Sequence, residues 1–134
     1  MSRIKTFLTI CSFWSLLSCG NSDEVSVKYA TLKEAQIDVD RGWIPPVLPP
    51  STYSIEDSHN LDVNVGEGAF KFNPTEYSSF ITKLTVTNQI SLKGEAELRK
   101  RGFKFFTYSE KETIWPFALH PDAGVGKYRM ELKR

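Results

Sequence analysis

The sequence predicts an α+β domain with two layers, in which a mainly antiparallel sheet carries two or three helices on one face. Two segments combine a helix-start signal with apolar residues at helical spacing. Elsewhere apolar and polar residues alternate, as they do in strands with one buried face. Aromatic residues make up 13% of the chain, so it can build a real core.

The first helix is expected near residues 32–41. Thr31 and Glu34 form a capping box, and Gly42 is a typical residue to end a helix. Four of the seven prolines follow within residues 43–50. Because proline fixes its own φ and keeps its predecessor extended, this segment should cross the domain as a stiff strap, called the proline strap below.

The next segment is predicted to form a strand and its return. Apolar residues occupy odd positions from Tyr53 to Val65, which favours a strand, with a break expected at 58–60. The glycines of 66–68 then predict a turn, and Phe70 and Phe72 a returning strand.

The best-marked helix begins at Asn73. This residue can cap the helix, Pro74 suits the first helical position and Glu76 completes a capping box. The apolar face should then bury Phe80 with its neighbours Tyr77, Ile81 and Leu84. A looser helix is expected over 92–101.

The end of the chain should be β structure. Residues 103–108 and 113–119 predict a hairpin with a loop at 109–112, and Tyr128, Met130 and Leu132 alternate in a last strand. Pro116 argues for an edge strand or a bulge, since proline cannot donate to a central ladder.

The amino terminus is typical of a lipoprotein signal peptide over residues 1–18. Basic Arg3 and Lys5 precede an apolar run too short to span a bilayer, and Leu16-Leu17-Ser18-Cys19 forms a lipobox. The expectation is cleavage before Cys19, diacylglycerol on its thiol, and anchoring in a membrane. An ordinary secretory signal and an uncleaved anchor remain alternatives.

The lipoprotein interpretation predicts how the chain is organised and where it is located. Residues 19–27 would be the lipidated cysteine and a short tether, and 28–134 a single α+β domain. Gly20, rather than an aspartate, follows the cysteine. We therefore expect the cell envelope, and the outer membrane facing the periplasm if the source has two membranes.

Cysteine and charge content exclude several function classes. The chain has two cysteines, Cys11 and Cys19, so the exported domain would have no disulfide, thiolate nucleophile or cysteine metal site. Residues 23–76 are acidic and 93–134 basic. This asymmetry could orient the domain on an anionic membrane or polymer, or simply reflect two regions that attract each other. No run is basic and aromatic enough to predict nucleic-acid binding.

The densest polar cluster comprises His59, Asp62 and Asn64. A histidine with a nearby carboxylate could act as a base or bind a ligand, but we expect all three residues to hold the break between strands by hydrogen bonds and to perform no chemistry. The cluster matches no metal motif, and a calcium loop from Asp62 fails because Gly66 offers no side-chain oxygen. No catalytic residue, metal or cofactor is therefore predicted.

Two tryptophans are candidate partner contacts. Large amphipathic rings dominate interfaces, so Trp43 and Trp115 could bind a protein or glycan. Both lie close to prolines in sequence and could instead fill the core.

A resemblance adds to this picture. Its residues are Arg41-Gly42-Trp43-Ile44-Pro45, Leu48-Pro49, Ser51, Ile55, His59, Leu61-Asp62, Asn64 and Phe70. With them the chain resembles the YbbD head domain family, departing from it at Val63, where a threonine is expected. The resemblance implies a small α+β module with no assigned activity, and transfers no catalytic residue.

Three functions remain open from the sequence. The first is a lipid-anchored, non-enzymatic envelope module that binds or supports a protein or glycan partner. The second is a small envelope hydrolase that uses His59 and Asp62. The third is an inhibitor or immunity-type lipoprotein.

Overall fold

A seven-stranded antiparallel sheet dominates the fold. The computed structural model describes residues 23–88 and 92–134. The strands are β1 (Glu24–Thr31), β2 (Tyr53–Asn60), β3 (Val65–Lys71), β4 (Thr85–Val86), β5 (Lys104–Glu110), β6 (Thr113–His120) and β7 (Val125–Leu132). Their order across the sheet is β1-β2-β3-β7-β6-β5-β4. The predicted antiparallel sheet is confirmed, but the described part of the chain is mainly β.

The helices are short. They are α1 (Gln36–Asp40), a 3₁₀ turn (Pro74–Glu76) that leads into α2 (Tyr77–Ile81), and α3 (Glu95–Lys100). The helices predicted over 32–41 and 92–101 are therefore shorter than expected. Thr31 Oγ1 does accept from the Glu34 backbone N–H at 3.2 Å, but the bond holds a turn before α1 and not the first turn of a helix.

The helices α2 and α3 lie on opposite faces of the sheet, so the predicted single helical face does not include α3. Phe105 and Phe106 are adjacent in β5 and both buried, so β5 presents an aromatic ring to each face of the sheet. Phe106 belongs to the main core, which also contains Phe80 of α2. Phe105 belongs to a second cluster with Leu98 of α3. Because both faces of the sheet are apolar at β5, each is shielded from water by a helix, one by α2 and the other by α3.

The proline strap packs on the main core, as predicted. Ile44 has no exposed surface and Leu48 is 6% exposed, while Trp43 and Val47 pack at the margin. Gly42 sets the direction of the strap. Its φ of +85° allows the N–H of Trp43 to reach the Asp38 carbonyl at 3.0 Å, which closes α1 as a Schellman motif.

A polar contact ties Ser51, the residue after the strap, to the 3₁₀ turn that leads into α2. Asn73 caps the 3₁₀ turn through a 3.1 Å bond from Thr75 N–H, as predicted. Glu76 does not complete a capping box. Its carboxylate accepts from the backbone N–H and hydroxyl of Ser51, and the Ser51 hydroxyl accepts from the Asn73 N–H. The predicted burial of Phe80 is confirmed, at 2% exposure.

Two turn predictions are wrong. Strand β2 runs unbroken through 58–60, and its turn to β3 occupies 61–64. The Asn60 side chain accepts from the backbone N–H groups of Asp62 and Val63, and Asn64 has a φ of +50°. The glycines at 66 and 68 lie inside β3 and form no turn.

Pro116 lies in a central strand. Strand β6 is flanked by β7 and β5, so the edge alternative is wrong, and its register with β7 is the same on both sides of Pro116, without a bulge. The pairing of β6 with β7 is interrupted between Ile114 and Phe117. This interruption accommodates Pro116, which has no backbone N–H to donate. The hairpin of β5 and β6 turns at Lys111, whose φ is +52°.

The structure describes part of the predicted tether and none of the predicted signal peptide. Residues 24–27, expected in the tether, form the first half of β1, which pairs with β2. The predicted signal peptide over 1–18, Cys19 and the rest of the tether up to residue 22 lie outside the described residues. Within the described residues, no helix has the length and apolarity needed to cross a membrane.

Candidate functional site

His59 lies in the core and not at a strand break. Alternate residues of a strand face the same side, so Ile55, Asp57 and His59 of β2 all point toward the main core. His59 Nδ1 lies 2.7 Å from Asp57 Oδ2. The two side chains are 4% and 0% exposed.

Tyr128 completes this buried group from another strand. Its hydroxyl donates to Asp57 Oδ1 at 2.6 Å. Asp57, Gly68 and Tyr128 occupy one row across β2, β3 and β7. A Cβ at position 68 would collide with the Tyr128 ring. Gly68 is therefore the residue that lets the tyrosine reach across β3 to Asp57.

Trp43 covers the histidine. The two rings are stacked at 4.0 Å between centroids, with 11° between their planes. The Schellman motif at Gly42 and the burial of Ile44 hold the indole in this position. Trp43 is half-buried, so it forms the outer wall of the polar group.

A second polar pair joins the half-buried Tyr29 to the buried Asp38. Tyr29 donates to Asp38 Oδ2 at 2.6 Å, and Arg41 Nη1 lies 3.6 Å from the other Asp38 oxygen. The hydrogen bond to Asp38, together with burial, raises the pKa of Tyr29 to about 12.

Burial and hydrogen bonding act in opposite directions on the pKa of Asp57. Burial raises the pKa of Asp57, against hydrogen bonds from Tyr128 and His59 that lower it. Burial and the nearby Asp57 charge hold the pKa of Tyr128 well above its usual range. Each buried polar atom in these bonds has a partner, which limits the cost of its burial.

This geometry resembles a catalytic histidine–carboxylate pair but is closed. A base must come within hydrogen-bond reach of a substrate proton, directly or through one water. Here Trp43 stacks on the imidazole, and Asp57 is enclosed by the sheet and the strap. The arrangement is suited to tie β2, β7 and the strap together.

The other two residues of the predicted cluster lie elsewhere. Asp62 and Asn64 are exposed in the β2–β3 turn, and the structure does not bring them together with the buried His59 ring. Asp62 instead shares a hydrogen bond with Asp23, which raises the pKa of Asp62. The His59–Asp62 pair expected for a hydrolase is therefore absent in this part of the chain.

Asp57 and Tyr128 were missed as site residues. The signal for Asp57 was available, since it precedes His59 by two positions and a period of two places both on one face. Tyr128 was predicted only as a residue of the last strand, because nothing local in the sequence links it to Asp57, 71 positions away.

Trp115 is a core residue. It is 3% exposed and packs in the main cluster, beside Tyr108. Its indole N–H is buried and lacks a hydrogen-bond partner among the described residues. Of the two alternatives for Trp115, a partner contact or a place in the core, the structure supports the second.

An accessible groove lies on the opposite face of the sheet. It has a volume of about 670 Å³. Its floor comes from outward-facing residues of four strands, and Leu92, Lys93 and Leu98 form one wall. The floor residues are Ser26, Lys28, Glu56, Ser58, Glu67, Ala69 and Lys127. Charges of both signs thus stand beside an apolar wall.

A metal site is not evident in residues 23–88 and 92–134, where no group of three or more His, Cys, Asp or Glu side chains could hold an ion. His59 Nδ1 is instead engaged by the Asp57 carboxylate.

Comparison with known proteins supports one relationship. The sequence profile of the YbbD head domain matches residues 23–71, which confirms the resemblance to that family. The match runs from the residue before β1 to the end of β3, and so contains α1, the proline strap, Trp43, Asp57 and His59. Searches of curated proteins and of solved structures found no match.

Proposed function

We propose that this chain is a lipid-anchored cell-envelope protein that binds a protein partner through the groove and performs no catalysis. The anchor would be diacylglycerol on Cys19, and the compartment the periplasmic side of the outer membrane if the source has two membranes. The observation that carries the binding role is the accessible, mixed-charge groove, while the only histidine–carboxylate pair among the described residues is closed.

The chemistry of the groove favours a protein partner over a glycan. Sugars are commonly bound by exposed aromatic rings, and the aromatic residue at the groove, Tyr128, is 1% exposed. Lys28, Glu56 and Lys127 beside the leucine wall suit a polypeptide with charged and apolar side chains.

The hydrolase alternative loses support. It required His59 and Asp62 in one cleft, but His59 is paired with Asp57 and Asp62 lies in an exposed turn. An inhibitor or immunity-type lipoprotein is a special case of the proposed binding role, in which the partner is a wall-degrading enzyme.

We also infer that the described strands and helices form one domain. Support comes from the main core, which joins residues of the strap, α2 and five neighbouring strands. In this half of the sheet, α1 and α2 would form the second layer of a two-layer α+β arrangement.

Site-specific photo-crosslinking in intact cells tests the binding role. A photo-reactive residue at Ala69, on the groove floor, should capture a defined protein, whereas one at the exposed Ser109 should not. Lys127→Glu should weaken the Ala69 crosslink, and Lys104→Glu, outside the groove, should leave it intact. Equal crosslinking at both positions, or no effect of Lys127→Glu, would overturn the proposal.

A further inference from the structure

The end of the sheet that leads toward Cys19 carries exposed apolar side chains. Leu61 is 50% and Val63 61% exposed in the β2–β3 turn. Leu132 of β7 is 48% exposed, and the pairing of Gly66 with Met130 brings it alongside this turn. Exposure of aliphatic side chains to water is unfavourable, so their grouping at one end of the sheet indicates a contact that covers them.

The position of this end relative to Cys19 indicates that contact. Glu24 pairs with Asn60, and the Leu61 backbone N–H donates to the Asp23 carbonyl at 3.0 Å. Asp23 is four positions after Cys19. Four residues span at most about 14 Å when fully extended. Any lipid on Cys19 would therefore hold the β2–β3 turn close to the bilayer surface.

We propose that the β2–β3 turn contacts the membrane beside the lipid anchor, with Leu61 and Val63 entering the headgroup region. This inference rests on the proposed lipidation of Cys19. Two aliphatic side chains bind a bilayer weakly by themselves. The anchor converts their insertion into an intramolecular event at high effective concentration, so a weak contact suffices.

Charge at this end selects the kind of lipid surface. Asp23, Glu24 and Asp62 surround the two aliphatic residues, so an anionic surface would repel the turn. A zwitterionic surface would not. The competing orientation places the basic side of α3, with Lys100 and Arg101, on an anionic membrane, and it predicts the opposite lipid dependence.

The experiment uses the full lipidated protein in phosphatidylcholine vesicles. Once Cys19 carries lipid, a cysteine introduced after it is the single free thiol of the processed chain, since the sequence has only Cys11 and Cys19. An environment-sensitive fluorophore is attached to Val63→Cys and to Asp122→Cys, which lies in the turn at the opposite end of the sheet.

The label at position 63 should shift to shorter wavelength and be quenched by nitroxide-labelled lipid, whereas the label at 122 should report water. Added phosphatidylglycerol should not strengthen the signal at 63. Leu61→Ser should reduce that signal, and Ile37→Ser, which removes an aliphatic chain of similar exposure (52%), should not.

Other results would overturn the inference. A label at 63 that reports water, or a shift at Lys100→Cys that appears only with phosphatidylglycerol, would show a different orientation. Acyl labelling and vesicle flotation of the wild-type chain separate the two proposals. If the protein is acylated and floats with vesicles but the label at 63 reports an aqueous environment, only this inference is contradicted. If the chain carries no acyl label, the proposed anchor is contradicted as well.

Discussion

Tyr128 and Asp57 are joined by a 2.6 Å hydrogen bond although the strands that carry them, β7 and β2, are not neighbours. The bond crosses β3 above Gly68. Since Asp57 also binds His59, and Trp43 stacks on His59, one carboxylate links β2, β7 and the proline strap. The polar residues that most resemble an active site thus organise the region that matches the YbbD head domain.

The first prediction concerns Asp57. Asp57→Ala removes the acceptor of both the Tyr128 hydroxyl and the His59 ring, and each buried group left without a partner costs about 1–3 kcal/mol. We expect a loss of about 2–4 kcal/mol in the free energy of unfolding, measured by urea denaturation.

Asp62→Ala is the matched control. Its side chain is exposed in the turn, so the change should stay within about 0.5 kcal/mol. Similar losses for the two variants would contradict the assignment of Asp57, and not Asp62, as the partner of His59.

The second prediction concerns alkaline pH. Tyr29 has a pKa of about 12 in the folded protein, against 10.0 for an unperturbed tyrosine. Between these values the unfolded chain binds fewer protons than the folded one, so stability falls as pH rises. The contribution of this tyrosine is fully present below pH 10 and is lost by about pH 12.

Thermal melts across this pH range check the effect. Tyr29→Phe should lower the melting temperature at neutral pH and make the alkaline decline shallower. Tyr128, whose pKa is also raised, should maintain the remaining slope. Ser26→Ala, on the same strand, should keep the wild-type slope, and an unchanged slope in Tyr29→Phe would contradict the assignment.

The third prediction concerns Phe80. Its ring packs edge-to-face against Phe72 and Phe117, and its centroid lies 6.3 Å from the centroid of the Phe70 ring. Phe80→Ala should cost about 3–5 kcal/mol through lost burial and the cavity left behind. Ser78→Ala, an exposed change on the same helix, should be nearly neutral. A melting temperature unaffected by Phe80→Ala would mean that α2 does not cover the core.

The fourth prediction concerns the anchor. Cys19→Ala should abolish incorporation of labelled fatty acid and prevent signal cleavage, because the thiol is the site of attachment. Retained acylation in this variant would contradict the lipobox assignment. In a source with two membranes, the absence of aspartate after Cys19 predicts that density fractionation recovers the protein with the outer membrane.

Sequence patterns predicted the elements that depend on neighbours along the chain. Gly42 ends α1, Asn73 caps the 3₁₀ turn, and Phe80 is buried, because capping and period are local properties. The same patterns misplaced the β2–β3 turn. The alternation of apolar residues continues through Leu61 and Val63 into a turn, where both are exposed.

The remaining errors have a long-range cause. Gly66 and Gly68 look like a turn locally, but position 68 is glycine because Tyr128 packs over it from β7. Likewise, nothing local shows that Pro116 lies in a central strand whose ladder is interrupted around it. For the candidate site, His59 was found and the period of two could have indicated Asp57, whereas Tyr128 comes from a strand 71 positions away.

The stack of Trp43 on His59 also gives the protein an optical signal. The chain has three tryptophans, and only Trp43 and Trp115 follow the predicted signal peptide. Trp115 is enclosed in the core, whereas Trp43 rests on an imidazole at the surface of the strap. In a Trp115→Phe background, emission from the exported domain would come from Trp43 alone. Stopped-flow fluorescence could then time the release of the strap from β2 separately from the loss of the sheet followed by circular dichroism.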